Sequence, residues 1–591
     1  MAPIALSNTA AAHPKGPLRE AFELCGVHLR YAIIFSALVN LAYLAPTIYM
    51  LQVYDKVVPS GSQPTLIFLT LALTATLFVL TYLDRIRSRL LMGASVRLDQ
   101  AFSARIFRRA MLDAARGSPI RLNQLVRDFD TIRLAVTGPA ALALFDAPWI
   151  PIYVIVCYIV HPLIGSLALG GAIVLCLLAV LNERVTRDLS KVGAAASAAG
   201  YANQESASAG ADVVRALGMT SAFVAQFENA RAKASQPQMQ AVRASGRIGG
   251  LIRFLRLFLQ SAALGAGAWL AINKDISAGA IFASSMLAAR ALAPIDQIVA
   301  QWRVLSSAAT AYDELREQLA APDDAAQTVL PDPKARLSLQ QAMVLTPAGD
   351  RALLAGINLE AEGGQIIAVI GPSGAGKTTL LQLIANARAP HQGEVRIDGA
   401  RYGDWDPQRL GRFIGYLPQD SALFPGSVKD NISRFDRWAG VGAEQVDAMA
   451  IAAAKAAGVH ELILALPRGY DTPLGPRGRG LSAGQQQRIA LARALYAQPV
   501  LYVFDEPNSN ADAEGEAVLL KVLADLKAAG ALVIVAAHRL SLIAAVDQIA
   551  VLRDGRLERF GPRVDVLAAL RAESEVQRPP AVPAEAMRQA G

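Results

Sequence analysis

Gly371-Pro372-Ser373-Gly374-Ala375-Gly376-Lys377-Thr378 fits the G-x-x-x-x-G-K-[ST] phosphate-loop pattern at every position, and Thr379 follows it. The loop comes directly after Gln365-Ile366-Ile367-Ala368-Val369-Ile370, an apolar run that reads as a buried strand, and it opens a helix at Thr378. In that context backbone N–H groups and a helix N-terminus point at phosphate oxygens, and Lys377 adds a positive charge for the β- and γ-phosphates. The Thr378 hydroxyl is placed to bind Mg²⁺. A second apolar strand, Val500-Leu501-Tyr502-Val503-Phe504, ends in Asp505-Glu506-Pro507. Asp505 reads as a Mg²⁺ ligand, direct or through water, and Glu506 as the general base that polarises an attacking water. A third strand, residues 531–537, ends at His538, whose neutral imidazole can hydrogen-bond a γ-phosphate and that water. Lone histidines are more often structural, but a strand end following the Asp-Glu strand favours the catalytic reading. The chemistry is hydrolysis of a nucleoside triphosphate with Mg²⁺.

A phosphate-binding domain accounts for less than half of this chain. With 591 residues it is too long for one core. Hydrophobic residues make up 53% and charged residues 18%, and the mean hydropathy is +0.32. The apolar excess sits in the first half, where six runs are long enough to cross a hydrocarbon core of about 30 Å. They lie near residues 31–50, 65–83, 141–160, 162–181, 257–272 and 278–299, the fifth reaching back past Arg256. They lack the polar face of buried helices in a soluble protein. Arg85, Arg87, Arg89, Arg97, Arg105, Arg108 and Arg109 follow the second run, and Arg184, Arg187, Lys191, Arg215, Arg231 and Lys233 follow the fourth. The short loops on the other side offer Lys56 and Lys274, each beside an Asp. This asymmetry puts the Arg-rich segments and both termini in the cytoplasm. It also explains the net charge of +8 without nucleic acid as a partner.

Cys25, Cys157 and Cys176 show no metal spacing and read as small hydrophobes. Residues 1–29 carry charges where the apolar core of a cleavable signal would lie. Two readings stand for Asp146, Arg290 and Asp296, which lie near span ends: a transport path, or pairing at the membrane edge. Pro294 permits a kink. Boundaries are expected as a cytoplasmic segment 1–30, a membrane domain 31–310, a Pro-, Asp- and Ala-rich linker 311–336, an ATPase domain 337–570 and a disordered tail 571–591.

Residues 337–570 resemble an ATP-binding-cassette domain throughout. Leu481-Ser482-Ala483-Gly484-Gln485 resembles the signature, in which Ser482 and Gly484 match residues that reach the γ-phosphate of ATP held by a partner. Gln419, within Tyr416-Leu417-Pro418-Gln419-Asp420, matches the Q-loop, which contacts Mg²⁺ and senses the membrane domain. Ser509-Asn510-Ala511-Asp512 matches the D-loop, with Asp512 acting across the dimer, and His538 the switch histidine. The resemblance implies an α-helical six-span domain of the type I (type IV) ABC exporter fold, followed by an α/β P-loop nucleotide-binding domain. One such chain cannot complete a two-sided ATP site, so a homodimer is implied.

Three departures stand out. Ala483 replaces the first signature Gly. Thr472-Pro473-Leu474-Gly475-Pro476-Arg477-Gly478 replaces a segment that carries Glu in many exporters and meets the coupling helices. No aromatic lies between Tyr312 and Tyr402 to stack on adenine, which leaves apolar contacts for that ring.

Leu423-Phe424-Pro425-Gly426-Ser427-Val428-Lys429-Asp430-Asn431-Ile432 resembles exporters, not importers. In the membrane half, Tyr49-Met50-Leu51-Gln52-Val53-Tyr54-Asp55-Lys56-Val57, Thr137-Gly138-Pro139 and Phe145-Asp146-Ala147-Pro148-Trp149 are similar to the permease/ATPase of type I secretion systems. So are Gly218-Met219 and Arg290-Ala291-Leu292-Ala293-Pro294-Ile295-Asp296-Gln297. Asn508 and Asn510 fit the subfamily that exports proteases, lipases and surface-layer proteins with C-terminal signals. That resemblance implies an inner-membrane ATPase set among membrane lipids, a periplasmic membrane-fusion adaptor, a TolC-type outer-membrane channel and an unfolded secreted protein as cargo. Residues 1–30 are too few for a leader-peptidase domain, so leader processing is not expected. A lipid or small-molecule exporter on the same scaffold, and a nucleotide-gated regulatory or structural membrane protein, remain as rival readings.

Overall fold

The computed structural model describes residues 17–115, 122–319, 329–346, 349–508, 513–537 and 539–576. They form two compact units, one mainly from residues up to Pro322 and the other mainly from Asp323 onward.

Six helical segments in the first unit are long and apolar enough to cross a membrane. Several run well beyond bilayer thickness. Gln63–Ala115 and Thr220–Ile272 each have 53 residues and Pro162–Ala209 has 48, so each exceeds 70 Å at about 1.5 Å per residue. The reason is a change of pattern along one helix. In Gln63–Ala115 the first part exposes apolar side chains such as Phe68 and Phe78, as a lipid-facing surface does. Further on, Leu91, Ala94, Leu98, Phe102, Ile106 and Ala110 recur every three or four residues and are buried. From Ala94 onward that stripe packs with Leu125, Phe129 and Ile132 of helix Leu122–Thr137 and with Ala311 and Leu315 of helix Ala278–Leu319. The Arg-rich segments are therefore helices with a core of their own. Helix Ala278–Leu319 also covers the first residues expected to be linker.

Close helix approach depends on small residues, as expected where apolar lipid gives little drive for association. A Cβ on Gly171 would sit 2.5 Å from Leu259 Cδ1, and one on Gly267 would sit 2.8 Å from Ser284 Oγ. Pro148 falls in the 3₁₀ turn Ala147–Trp149 that separates helices Pro139–Asp146 and Ile150–Val160. At the opposite end of the spans, Asp55 lies in a π-helical turn, Val53–Val57. Its carboxylate accepts from Ser277 Oγ at 2.5 Å and from the Gly279 N–H at 2.7 Å, which caps the final span helix. Tyr54 stacks on Phe282 beside it at 4.3 Å.

Burial and the carboxylate of Glu314 push the Asp128 carboxyl up to about 6, against a smaller opposing effect of Arg127. A carboxyl that holds its proton more tightly when folded stabilises the fold at low pH, and this contribution is lost as pH rises through about 6. The thermal midpoint should therefore fall between about pH 4 and pH 6 more steeply for the unmodified protein than for Asp128→Asn. Parallel curves would remove Asp128 as the source.

The second unit contains strands β1 (Arg336–Leu345), β2 (Ala352–Glu362), β3 (Ile366–Ile370), β4 (Gln392–Ile397), β5 (Ala400–Arg401), β6 (Ile414–Leu417), β7 (Gly426–Ser427), β8 (Pro473–Leu474), β9 (Leu501–Asp505), β10 (Leu532–Ala536), β11 (Gln548–Arg553) and β12 (Arg556–Pro562). An antiparallel sheet runs β2-β1-β4-β5, and a six-stranded sheet runs β12-β11-β3-β10-β9-β6. In the latter every neighbouring pair is parallel except β11–β12. Its central strands β3 and β10 are apolar at every position, and β9 is apolar up to Phe504, because both faces are covered. Ile366, Ala368, Tyr502, Phe504, Val533 and Val535 enter one core. The alternating residues Ile367, Val369, Leu501, Val503, Leu532 and Ile534 enter the other. The last described helix, Arg563–Val576, overlaps the start of the tail expected from residue 571; residues 577–591 lie outside the described residues.

Candidate active site

Functional groups gather at the carboxyl ends of the parallel strands, where open α/β sheets place their ligands. β10 lies between the phosphate-loop strand and the Asp-Glu strand, with Ala536 opposite Val369 on one side and Asp505 on the other. Two strand spacings of about 4.8 Å thus set the phosphate loop and Asp505 about 10 Å apart. That gap suits a phosphate chain with a cation. His538 comes two residues after Ala536 and lies outside the described residues.

The phosphate loop needs its glycines. Gly374 and Gly376 have φ of +81° and +99°, in the left-handed region. At Gly371 a Cβ would meet the Leu552 carbonyl oxygen at 2.2 Å, so no side chain fits. Gly376 caps helix Lys377–Ile384, whose first turn carries Lys377, Thr378 and Thr379. Pro372, Ser373 and Gly374 form the exposed rim, and Ala375 is buried beneath it. Lys377 is 7% exposed, and its Nζ donates to the Gly371 and Pro372 carbonyls at 2.9 and 3.0 Å.

The β11–β12 hairpin holds the loop from behind. The Gly555 N–H donates to the Ala375 carbonyl at 3.1 Å, and the Gly555 carbonyl accepts from Ala355 at 2.8 Å. Residue-by-residue reading of the loop missed this buttress, although Asp554-Gly555 is a turn dipeptide that flags the hairpin.

Asp505 is 1% exposed at the end of β9. Burial, with Asp505's negative charge nearby, pushes the Tyr416 phenol up to about 12, so it is neutral at physiological pH. Glu506 has φ +49°, an uncommon conformation for a residue with a Cβ, costing on the order of 1 kcal/mol. Gln419, two residues beyond β6, donates from Nε2 to Glu506 Oε2 at 3.1 Å. The structure thus joins two residues that lie 87 positions apart in sequence. Thr378, Gln419 and Asp505 supply hydroxyl, amide and carboxylate oxygens, the donor set of a hard divalent cation. The loop and this donor set fit a nucleoside triphosphate and its metal.

The signature opens helix Ala483–Leu495 with a reciprocal cap. Ser482 Oγ accepts from the Gln485 N–H at 3.3 Å, and Gln485 Oε1 accepts from the Ser482 N–H at 2.9 Å. Leu481 packs against the core, Ala483 is exposed in the first turn and Gly484 is half-buried. The Gln485 side chain closes the cap. Asp512, with Ser509 to Ala511, lies outside the described residues.

Two links went unseen in sequence. Gln487 Nε2 donates to the Pro507 carbonyl at 2.7 Å, joining the signature helix to the Asp-Glu segment. Arg493, on the same helix, donates to the Ala422 carbonyl at 3.0 Å in the segment after Gln419. Burial and nearby Arg434 lower the Arg493 pKa to about 10, which leaves it charged at neutral pH. Pro473 opens β8, which pairs with the distant β7 in a two-stranded sheet, a strand-start position where no N–H is needed, and Pro476 opens the 3₁₀ turn Pro476–Gly478.

Comparison with known proteins agrees with this geometry. The ABC transporter family model matches residues 354–509, and the ABC transporter transmembrane region matches residues 29–294. The chain is 40% identical to the type I secretion system ATP-binding protein PrsD of Rhizobium meliloti (strain 1021), over 92% of this chain and 93% of that protein. It is 29% identical to the toxin RTX-I translocation ATP-binding protein of Actinobacillus pleuropneumoniae, over 91% of this chain and 76% of that one. A bacterial Atm1-family ABC exporter solved with ATP bound shares the fold, with a TM-score of 0.77 at 21% identity, covering 96% of this chain and all of that one. The chain is a multi-pass membrane protein of the ABC transporter family, an ATP-binding ATPase coupled to transport and related to type I secretion ATP-binding proteins.

Proposed function

We propose that the chain is the inner-membrane motor of a type I secretion system, exporting unfolded protein with a C-terminal signal. The observation that carries this is 40% identity to a type I secretion ATP-binding protein across nearly the full length of both chains. The ATPase domain faces the cytoplasm, on the side of the Arg-rich helices. Two copies face each other, so that Leu481, Ser482, Ala483, Gly484, Gln485 and Asp512 of one copy complete the site on its partner's phosphate loop. A periplasmic adaptor and an outer-membrane channel continue the path.

Within each site, residues Gly371 to Thr379 hold the triphosphate, with loop N–H groups and Lys377 as donors. Thr378, Gln419 and Asp505 would hold Mg²⁺, which when bound offsets the charge of the β- and γ-phosphates. Glu506 accepts the proton of the attacking water. Its bond from Gln419 Nε2 orients the carboxylate for this. His538, two residues beyond β10 in sequence, donates to the γ-phosphate. In this scheme Gln419 couples the hydrolytic carboxylate to a loop that Arg493 ties to the signature helix.

The test is cargo dependence. A repeat-rich secreted protein encoded beside this gene should change the ATPase rate of the purified transporter in nanodiscs, and removal of its C-terminal segment should abolish that change. A rate that ignores the protein but follows lipid headgroup would replace this reading with a lipid exporter.

A further inference from the structure

The membrane unit holds a half-open cavity of about 310 Å³ whose lining includes Tyr43, Arg87, Asp146, Arg290, Gln297 and Gln301. One wall is an ionic cluster whose carboxylates are paired. Asp146 Oδ1 accepts from Arg87 Nη1 at 2.9 Å, from Ser36 Oγ at 2.6 Å and from Asn40 Nδ2 at 2.7 Å. The other end of the Arg87 guanidinium donates to Asp84 at 2.8 Å. Both carboxylates are thus held by one cation.

Arg290, on helix Ala278–Leu319, differs. Its guanidinium lies 3.8 Å from the centroid of the Tyr43 ring, and among the described residues it has neither a carboxylate partner nor a hydrogen bond. Arginine offers five N–H donors and no acceptor, so the group is set up for an anion and for nothing cationic. The ring face fixes the guanidinium plane without using those donors. Further along the same helix, Gln297 and Gln301 also line the cavity, at helical spacing from Arg290. Their carboxamides match the donors and acceptors of an extended peptide backbone.

The export reading selects the source of the anion. A polypeptide carried through the membrane brings carboxylates past this cavity together with a backbone for Gln297 and Gln301, whereas a lipid phosphate brings no amide groups to them.

We infer that Arg290 is a contact for acidic side chains of the translocating polypeptide, with Tyr43 orienting it and Gln297 and Gln301 engaging the adjacent backbone. The inference rests on the protein-export reading and adds a charge preference to it.

The test uses the full-length transporter in zwitterionic nanodiscs and three fluorescent 20-residue Gly/Ser peptides carrying four Glu, four Gln or four Lys. The Glu peptide should bind about tenfold more tightly than the Gln peptide. Arg290→Gln should bring that ratio close to one while still binding the Gln peptide, and Arg290→Lys should keep part of it. Tyr43→Leu should give an intermediate ratio, which keeps the inference testable if Arg290→Gln does not fold. A Glu-to-Gln ratio unchanged in Arg290→Gln, or tightest binding by the Lys peptide, overturns the inference and leaves protein export standing. A preference that appears only with anionic lipid overturns it in favour of a lipid site. If none of the peptides binds the unmodified protein, this inference is overturned, and the cargo-dependent ATPase rate decides the export reading separately.

Discussion

Glu506→Gln is expected to lower the ATPase rate by about 10²–10⁴-fold while ATP binding survives, because it removes a general base and nothing else. The exchange is nearly isosteric. A glutamine at this position retains a carbonyl oxygen to accept the bond that Gln419 now donates at 3.1 Å, so the arrangement of the loop persists. Asp505, Lys377 and the phosphate-loop glycines are untouched, and the triphosphate keeps its cradle. The variant should accumulate as an ATP-bound dimer, visible by size-exclusion chromatography with ATP and Mg²⁺. Single-turnover hydrolysis is the decisive measurement. A rate within threefold of the unmodified enzyme, itself a small change on the scale of general-base catalysis, would assign water activation to another group.

The second large effect concerns stability. Arg87 is 5% exposed and Asp146 is 9% exposed, and each is the other's buried ionic partner. Removing one partner from a buried pair costs about 3–5 kcal/mol, since the remaining charge is left uncompensated. Asp146→Ala leaves the buried Arg87 cation with only the half-exposed Asp84 carboxylate and also takes the shared acceptor from Ser36 and Asn40. The thermal midpoint of the detergent-purified transporter should drop by roughly 5–10 °C. Replacing both charges, Arg87→Met with Asp146→Leu, should recover most of that loss, because a well-packed apolar pair carries no desolvation cost. If the double variant is as unstable as the sum of the singles, the cluster does not act as a pair.

The chemistry was largely legible in the chain because it is written locally. The phosphate loop, the Asp505-Glu506 pair and the signature each keep their meaning within a few residues, and each is flanked by a strand or helix that periodicity reveals. The six spans were legible for the same reason: length and apolar composition are properties of one segment. Pairings between distant segments were not. Asp146 and Arg87 are separated by 59 positions, and nothing in either neighbourhood names the other. The sequence left Asp146 between a transport path and a charge at the membrane edge; its side chain is buried in an ion pair on the cavity wall. Arg493 gave no signal at all, since an arginine in the last turn of a helix ordinarily answers only to the helix dipole. Its contact with the carbonyl of Ala422 exists because the sheet brings the segment after β6 beside that helix.

Lys377 shows how the loop avoids an unpaired buried charge. The ammonium is buried, yet it rests on two carbonyls of its own loop. In the proposed cycle a triphosphate would take the place of those neutral acceptors, and the lysine would return to them as products leave. The cation would then be partnered at both moments, which spares the loop the cost of a lone buried charge.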